Sequence, residues 1–324
     1  MSLVTLRRTA YDKVAAIASA MATVHGSVAV VLGGAAEGEV WVDDADQPRV
    51  AVIEGPEGVY LVGRCPSAEV ASAIRDQLDD WVYLHVDPVQ RAGIEQVLPN
   101  DAMLVHPRLT FAIVPGPGPM PAMPAGYRLI VDGDGLGQRI YAGDVEVSRC
   151  LPDLVIGQRA EMGVWTHPGH RRRGLARLAA RACLAAAHGQ GIVAMGWHCH
   201  ASNRGSIGLA RQIGAGEPVE TLAYSASLPA ENVDDLPAAE WQRLAEHFAK
   251  KRSTIAWLGF HAACAWAAAG ADEAALEAVE QLVADGWSGS PQWLAGHWAL
   301  AGIADHPRML GAIEALEKQK APPG

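Results

Sequence analysis

Three consecutive arginines, Arg171–Arg173, precede Gly174 in a chain of 324 residues whose formal net charge is −10. Beyond them, apolar residues recur at helical spacing, so the pattern predicts that a helix begins at the arginines. The predicted buried stripe consists of Leu175, Leu178, Ala179, Ala182, Cys183 and Ala186. A helix start has unpaired N–H groups and about half a positive charge, and it attracts anions. Because Gly174 has no side chain and Ala176 a small one, an elongated anion such as a pyrophosphate fits against the main chain.

Two motifs of this region resemble those of the GNAT superfamily of N-acetyltransferases. The spacing Arg171-x-x-Gly174-x-Ala176, entered through Pro168, resembles the pyrophosphate loop of that superfamily, and NRGSIGLARQIGA at 203–215 is similar to its second motif. The resemblance implies an acetyl-CoA site built from three groups of residues. These are Val164, Trp165 and Thr166 along the pantetheine arm, Arg171, Arg172, Arg173, Gly174, Leu175 and Ala176 around the pyrophosphate, and Asn203 and Ser206 after the next strand.

A solvated turn and a dinucleotide site are the alternatives to this interpretation. Taken alone, an arginine-rich helix start is also typical of a solvated turn, and the second motif is what favours a cofactor. The segment VVLGGAAEGEV at 30–40 places glycines after an apolar run that we interpret as a strand. It lacks G-x-G-x-x-G and leads into another strand, which argues against a dinucleotide site.

A carboxylate on the predicted strand RAEMGVW is the candidate general base. An alkylammonium has a pKa near 10.4, so presenting a neutral amine at pH 7 costs roughly 4 to 5 kcal/mol, and a base is useful. The superfamily often uses a glutamate on this strand, usually through a water, and the resemblance implies that role for Glu161. Arg159 offers the alternative that Glu161 is neutralised in a salt bridge.

The general acid is less well defined. The tyrosine that the superfamily often carries in the second-motif helix is replaced here by Ala210, and the usual closing Gly-Phe is Gly214-Ala215. Three alternatives stay open: the thiolate leaves unaided, water protonates it, or Tyr224 reaches it from the last strand.

The run His198-Cys199-His200 raises the question of a metal. Neighbours on a strand alternate faces, so the two histidines share a side that the cysteine cannot join. Without a further ligand pair we expect no metal there. The two histidines remain candidates for a pocket wall or an alternative base.

The segment PGPGPMPAMPAG at 115–126 can continue neither a helix nor a central strand and marks a boundary. We expect an α+β half over 1–115, a linker over 116–126, a mixed α/β GNAT domain over 127–229 and an all-α domain over 230–324. In the first half we predict a helix over 11–22, three strands within 39–64, and a helix over 67–82. That helix would bury one side, formed by Val70, Ile74, Leu78 and Trp81.

The N-terminal half is the candidate for closing the acceptor pocket. Only about thirty residues separate Tyr127 from Glu161, too few for the two helices that usually cover this pocket in the superfamily. The segment VWVDDADQPRVAVIEGPEGVYLVG resembles the front half of a bacterial subgroup of GNAT-like proteins. We therefore expect residues near Trp41 and Tyr60 to help enclose the acceptor.

The last part of the chain is rich in alanine, leucine and tryptophan at helical spacing, and predicts about five helices between Leu236 and Lys318. Residues 260–310 are similar to one bacterial tetratricopeptide-like repeat. Because such repeats normally bury their faces against neighbours, this one would pack on flanking helices, on a protein partner or on a second copy.

The composition narrows the class of protein. Charged residues make up 19% of the chain and hydrophobic residues 50%, as in globular proteins, and no basic face suited to nucleic acid is visible. Neither a secretory leader nor a membrane-spanning run is visible in the sequence, and the five cysteines fit reduced thiols, so we expect a cytoplasmic protein.

Two functions follow from these observations. The first is an acetyl-CoA-dependent N-acetyltransferase that acts on a primary amine, of a small molecule or a peptide, by direct transfer. The alternative is a non-catalytic acyl-CoA-binding scaffold with a helical protein-interaction tail.

Overall fold

The computed structural model describes residues 2–95, 98 and 102–320. Within these residues, twelve strands form one mixed sheet. In chain order they are β1 Val4–Thr5, β2 Val40–Val42, β3 Val50–Gly55, β4 Gly58–Gly63, β5 Leu84–Val86, β6 Leu104–Ile113, β7 Tyr127–Val131, β8 Gln138–Ala142, β9 Val145–Ile156, β10 Arg159–Thr166, β11 Ala194–His200 and β12 Val219–Ser225. Across the sheet the order is β1-β2-β3-β4-β5-β12-β6-β11-β10-β9-β8-β7.

Eleven α-helices lie in the described residues. They are α1 Asp12–Val24, α2 Gly26–Leu32, α3 Ala68–Gln77, α4 Arg91–Glu95, α5 Leu175–Gly189, α6 Arg204–Gln212, α7 Ala238–Lys251, α8 Leu258–Ala268, α9 Asp272–Ala284, α10 Pro291–Gly296 and α11 Pro307–Lys320. As predicted, α5 begins directly after the arginines and buries Leu175, Leu178, Ala179 and Cys183, whereas Ala182 and Ala186 of the predicted stripe are only partly buried. The predicted helix and three strands of the first half are confirmed as α1 and β2–β4.

The proline- and glycine-rich segment lies between β6 and β7, which belong to the same sheet. Strand β6, from before this segment, pairs antiparallel with β11, from after it, with His198 opposite Thr110 and His200 opposite Arg108. One compact unit contains residues 1–78, 82–98 and 106–224. The two predicted halves therefore share a sheet, and their division into separate domains stays a prediction.

Strands β10 and β11 present two different faces. Ala160 and Met162 of β10, with Met195 and Trp197 of β11, belong to the apolar core that includes α5. Side chains alternate along a strand, so Glu161, next to Ala160, and His198, next to Trp197, lie on the opposite face. On that face α2 packs against β9 and β10.

The second compact unit contains residues 79–81, 99–105 and 225–324. Its five helices, α7–α11, confirm the predicted helical region, and α8 packs against both α7 and α9. The tetratricopeptide-like arrangement of these helices stays a prediction.

Two local predictions were wrong. The run over 30–32, interpreted as a strand, belongs to α2, since a seven-residue run rich in valine has no period that separates strand from helix. The predicted helix over 67–82 ends at Gln77, so Trp81 is 72% exposed rather than part of the buried side.

Candidate active site

The site begins where β10 and β11 stop pairing. The two strands run parallel and pair from Arg159–Ala194 to Glu161–Gly196. Beyond that point β10 continues beside β9 up to Thr166, and β11 continues beside β6 up to His200. A register shift in the β9–β10 pairing also falls at Glu161. The facing edges of β10 and β11 therefore separate from Glu161 onward, in the direction of α5.

The Glu161 carboxylate lies at the base of this separation and is 1% exposed. Its Oε2 accepts a hydrogen bond from His198 Nε2 at 2.8 Å. Its Oε1 accepts from Arg159 Nη2 at 2.8 Å and from the Gly26 N–H at 3.1 Å. Both oxygens thus have donors, which satisfies the requirement for burying a carboxylate.

Two glycines make room for this carboxylate. A Cβ on Gly196, the neighbour across the β10–β11 pair, would overlap the Glu161 carboxylate. A Cβ on Gly26 would lie 2.8 Å from Glu161 Oε1. The carboxylate therefore occupies the volume that side chains at these two positions would take.

Arg159 joins the carboxylate to the first helix. Besides Glu161, its guanidinium donates to the carbonyls of Ala22, Thr23 and Val24 at distances of 2.6 to 3.2 Å. These carbonyls belong to the last turn of α1, which has no intrahelical partners for them. The salt bridge that the sequence offered as an alternative is therefore present, and it also fixes α1 beside the site.

The pKa of Glu161 lies below its ordinary value. Burial raises it, but the hydrogen bond and charge of His198, the charge of Arg159 and the Gly26 N–H together lower it by more. The group is therefore a carboxylate at neutral pH. A carboxylate only accepts, so the bond from His198 Nε2 must carry the ring proton on that nitrogen.

The other ring nitrogen of His198 points to a hydroxyl. Nδ1 lies 2.9 Å from Thr110 Oγ1 on β6. In the neutral ring Nδ1 accepts from the hydroxyl, and in the imidazolium it donates to it, because a hydroxyl can do both. His198 can therefore gain and lose a proton while keeping both partners. Its side chain is 20% exposed, against 2% for that of Glu161.

A cluster of aromatic rings, which we call the ring cluster, joins His198 to residues of the N-terminal half. It comprises His25, Tyr60, His85 and His198, with His25 stacked on His198 at 4.9 Å and Tyr60 stacked on His85 at 4.9 Å between ring centroids. Burial, followed by the charge of Arg108, lowers the pKa of His85 to about 3. Burial also lowers the pKa of His25, so both imidazoles are neutral at pH 7.

The N-terminal half thus reaches the site, but not with both of the predicted residues. Tyr60 lies in the ring cluster and is fully buried. Trp41, on β2, is also buried, and in the described part of the chain it makes no ring contact or hydrogen bond with Glu161 or His198. Sequence reasoning missed His25, His85 and Thr110. His25 lies between α1 and α2, and the other two lie on β5 and β6, strands that the sequence analysis did not predict.

At the other end of the separation, the start of α5 is open. Arg172 and Gly174 both have left-handed backbones, with φ of 63° and 79°. Gly174 is the N-cap and offers no side-chain bond, no acidic residue lies in the first turn, and nothing occupies the space within 4 Å of a Cβ placed on Gly174. A left-handed residue followed by a helical one directs successive N–H groups to one place, which suits an anion.

The arginines at this end differ in their contacts. Arg173 donates to the Tyr127 hydroxyl at 2.6 Å, and that hydroxyl also bonds His170 Nδ1 at 3.0 Å. Arg171 donates to the Thr166 carbonyl at 3.2 Å. Arg172 is exposed and makes no side-chain hydrogen bond or ion pair within the described residues.

Four further predicted residues lie near the site, two of them on α6 or at its start and two on β10. Asn203 caps α6 by accepting from the Ser206 N–H at 2.8 Å. Ser206 Oγ accepts from Trp197 Nε1 at 2.8 Å. Val164 and Trp165 lie on the stretch of β10 that pairs only with β9, so one edge of their main chain faces the separation.

The structure does not bring Tyr224 to Glu161. The Tyr224 hydroxyl donates to Glu95 Oε1 at 3.0 Å, and its ring is buried. Ala223, its neighbour on β12, pairs with His85, so Tyr224 lies on the face opposite to the ring cluster. Burial raises the pKa of Tyr224, and the bond to Glu95 raises it further.

Within the described residues, no group of three His, Cys, Asp or Glu side chains is arranged to hold a metal ion. The helices in the same residues are too short or too polar for any of them to cross a membrane.

Part of the chain is similar to known acetyltransferases. The family model for GNAT acetyltransferase matches residues 132–224. A GCN5-related N-acetyltransferase from Sphaerobacter thermophilus shares 13% identity with a TM-score of 0.51, over 70% of this chain and 98% of its own. A GCN5-related N-acetyltransferase-like protein from Streptococcus suis 89/1591 shares 18% identity with a TM-score of 0.47, over 60% and 90%. A search of curated proteins gives no match.

At 13% identity the Sphaerobacter thermophilus structure shows a shared fold alone. The family match covers the segment that holds Glu161, the three arginines and the start of α5. Residues 132–224 are thus similar to the GNAT acetyltransferases, and this similarity supports acyl transfer as the chemistry of the chain.

Proposed function

We propose that this protein is an acetyl-CoA-dependent N-acetyltransferase that transfers acetyl directly to a primary amine, with the Glu161–His198 pair as the general base, in which His198 takes the proton and the Glu161 carboxylate stabilises the resulting imidazolium. One observation carries the proposal. Strands β10 and β11 separate between a buried, ionised carboxylate at one end and an open, arginine-flanked helix start at the other. The diphosphate of CoA needs a positive helix start, and the amine that attacks the thioester needs a base at the other end of the cleft.

The residues present fit the cofactor. The bare N–H groups after Gly174 and the charges of Arg171, Arg172 and Arg173 would hold the diphosphate. The free main-chain edge of Val164, Trp165 and Thr166 would bond the amides of the pantetheine arm. Asn203 and Ser206 would support the opposite wall through α6 and Trp197. Acetyl-CoA supplies the activated acyl group, and the protein supplies orientation and the base.

The acceptor amine loses its proton on the face of the sheet that carries Glu161 and His198. The amine nitrogen forms the new amide bond as the C–S bond breaks, and its proton passes to the Glu161–His198 pair. Since the carboxylate is buried, Thr110 would relay this proton, giving its own hydrogen to His198 Nδ1 and taking one from the amine. His198 then carries the positive charge beside an ionised Glu161, which stabilises it.

The CoA thiolate leaves unaided or takes a proton from water. Tyr224, the other donor that the sequence suggested, already donates its proton to Glu95. Protonation by Tyr224 would require that bond to break, so we assign it no step.

A scaffold without catalysis is the second candidate, and one observation favours it. Every donor contact of Glu161, from Arg159, Gly26 and His198, is also what a structural buried ion pair would have. Calorimetric titration with acetyl-CoA, together with a thiol-release assay over a panel of amines, separates the two. Amine-dependent release supports the enzyme, and tight cofactor binding without release on any amine supports the scaffold.

The cofactor site has its own test in Gly174→Asn. Asparagine tolerates a left-handed backbone, so the loop keeps its shape while a side chain fills the space for the diphosphate. We expect the affinity for CoA to fall at least tenfold, measured by calorimetry. Gly143→Asn is the matched control, because Gly143 is also left-handed, with φ of 58° and nothing within 4 Å of a Cβ. Equal affinities in the two variants would contradict the assignment.

A further inference from the structure

Asp153 is the extra residue of a β-bulge beside the cleft between β10 and β11. In the antiparallel β9–β10 pair, Glu161 and Met162 lie opposite the two neighbours of Asp153, which itself has no partner on β10. Bulges of this kind redirect a side chain and are frequent next to active sites. A Cβ on Gly163 would lie 2.5 Å from Asp153 Oδ2, and Gly163 shares a face with Glu161 because it is two residues away. The bulge therefore turns the Asp153 carboxylate onto the face that carries Glu161.

The cleft separates this carboxylate from His198. Gly196 pairs with Glu161, so His198 and Gly163, each two residues further along, stand at the same level on β11 and β10. Strands that pair are about 5 Å apart, and at this level the two strands have separated. A short molecule in the cleft can therefore contact His198 at one end and Asp153 at the other.

A second carboxylate approaches from the N-terminal half. Glu57 lies in the turn between β3 and β4, and its N–H donates to Ser27 Oγ of α2 at 3.3 Å. Partial burial raises the pKa of Glu57, the charge of Glu161 raises it next, and Asp153 adds to this effect. Partial burial and then the charge of Glu161 also raise the pKa of Asp153. The three carboxylates thus lie within range of one another's charge, and we call Glu57 and Asp153 the outer carboxylates.

The outer carboxylates have no cation of their own. Both are accessible to solvent, and neither carboxylate forms a hydrogen bond or an ion pair within the residues that the structure describes. The arginines whose charge lowers their pKa values are bound elsewhere, Arg159 to Glu161 and Arg149 to Glu146. Two unpaired negative charges beside an ionised carboxylate repel each other, and a cation among them would remove this repulsion.

A buried hydroxyl at the same place also lacks a partner. Tyr60 is fully buried, and its hydroxyl makes no hydrogen bond of adequate geometry in the described part of the chain. Burial raises the pKa of Tyr60, the nearby Ser27 hydroxyl lowers it, and the charges of Glu57 and Glu161 raise it further. Because buried polar groups are nearly always hydrogen-bonded, this hydroxyl indicates a missing partner. An ammonium N–H would supply it.

We propose that the acyl acceptor is a diamine, in which one amine reacts at the Glu161–His198 pair while the second, as an ammonium, is bound by the outer carboxylates across the cleft. The inference rests on the proposed function for the role of the reacting amine. It narrows the acceptor from any primary amine to one with a second cationic nitrogen. It also excludes acceptors whose far end is anionic, because that end would meet charges of its own sign.

Binding tests this inference without requiring catalysis. The protein saturated with CoA is titrated calorimetrically with 1,3-diaminopropane, putrescine and cadaverine, and with propylamine, butylamine and pentylamine as partners of matched length. We expect at least one diamine to bind about tenfold or more tighter than its matched monoamine, because its second ammonium forms charge-assisted hydrogen bonds. Equal affinities within every matched pair, or tighter binding of γ-aminobutyrate than of putrescine, would overturn the inference.

Asp153→Asn identifies the site. Asparagine has nearly the same shape without the charge, so we expect the affinity for the preferred diamine to fall about tenfold and that for its matched monoamine to stay the same. Glu57→Gln should also weaken diamine binding. Asp305→Asn, in an exposed turn before α11, makes the same change of charge and should leave both affinities unchanged.

Two outcomes with these variants would overturn the inference. The first is an unchanged diamine affinity in both Asp153→Asn and Glu57→Gln. The second is an equal loss of affinity for the monoamine in Asp153→Asn, which would place Asp153 at the reacting nitrogen.

Thermal melting of Asp153→Asn tests whether the charge is unpaired. Without ligand, the variant should melt at the same or a higher temperature than the wild type, because it removes a repelling charge beside Glu161. Putrescine should raise the melting temperature of the wild type more than that of the variant. A lower melting temperature of the free variant would show that the carboxylate supports the fold, and would overturn the inference.

The two proposals fail in different ways. Binding of diamines that depends on Asp153, without thiol release from acetyl-CoA, would contradict the enzyme and leave the ammonium site standing. Thiol release that is equally fast with monoamines and with their matched diamines would support the enzyme and contradict the ammonium site.

Discussion

The two faces of β10 and β11 are made by the same two strands and have opposite characters. Toward α5, Met162 and Trp197 pack in an apolar core without ion pairs among the described residues. Toward α2, Glu161 and His198 are also removed from water but are held by directed hydrogen bonds. Burial alone is therefore not informative in this sheet, whereas burial of charge on one face is, because a fold would not bear that cost for packing.

The largest difference between the faces should follow from Glu161→Gln. An amide cannot accept from every donor now bonded to the carboxylate, and without a negative charge it does not stabilise a protonated His198. We expect thiol release to fall by about 10² to 10⁴-fold, and the free energy of unfolding to fall by about 3 kcal/mol. Met162→Leu, the next residue on the opposite face, should cost less than about 1.5 kcal/mol. A folded Glu161→Gln protein with the wild-type rate would contradict the role of Glu161.

Gly196→Ala sharpens the comparison by changing only volume. Its methyl group would overlap the Glu161 carboxylate and push it away from His198. We expect the free energy of unfolding, measured in urea, to fall by about 1 to 3 kcal/mol, and thiol release to become slower. Gly208→Ala, in α6 with nothing within 4 Å of the new Cβ, should instead gain up to about 1 kcal/mol. If Gly196→Ala also raised the free energy of unfolding, the carboxylate would not need the space at Gly196.

The smallest effect concerns pH. The pKa of His85 falls from 6.5 in the unfolded chain to about 3 in the folded one. The folded state therefore binds fewer protons, so the stabilisation is present above pH 6.5 and is lost as the pH falls toward 3, by about 1.4 kcal/mol per unit. Between pH 7.5 and 5.5, the free energy of unfolding of His85→Leu should fall by about 1.4 kcal/mol less than that of the wild type. Unfolding of the sheet unit in urea at both pH values measures this, and equal losses would contradict a neutral buried His85.

The parts of the site that depend on a single helix or strand could be predicted from the local sequence. The start of α5 follows from apolar spacing behind the arginines, and the position of Glu161 follows from its place on a strand that precedes them. The same holds for Asn203, whose residue type and position before α6 favour a cap.

The partners of Glu161 could not be predicted in this way. Gly26 is 135 residues away along the chain, and its main-chain N–H has no residue-specific signature. Thr110 reaches His198 only because β6 inserts beside β11, an order that no periodicity reveals. The boundary of α3 was also misjudged, since Leu78 and Trp81 continue its apolar spacing although the backbone at Leu78 is extended.

The position of β6 bears on how fragments of this protein can be made. The strand ends at Ile113, outside the segment 132–224 that matches the family, yet it stands between β12 and β11 in the sheet. A truncated protein that starts at Gly126 would lose both Thr110 and the neighbour of β11, leaving a row of bare amides and carbonyls in the middle of the sheet. Such an edge recruits other chains, so we expect the excised segment to aggregate where the intact chain stays dispersed.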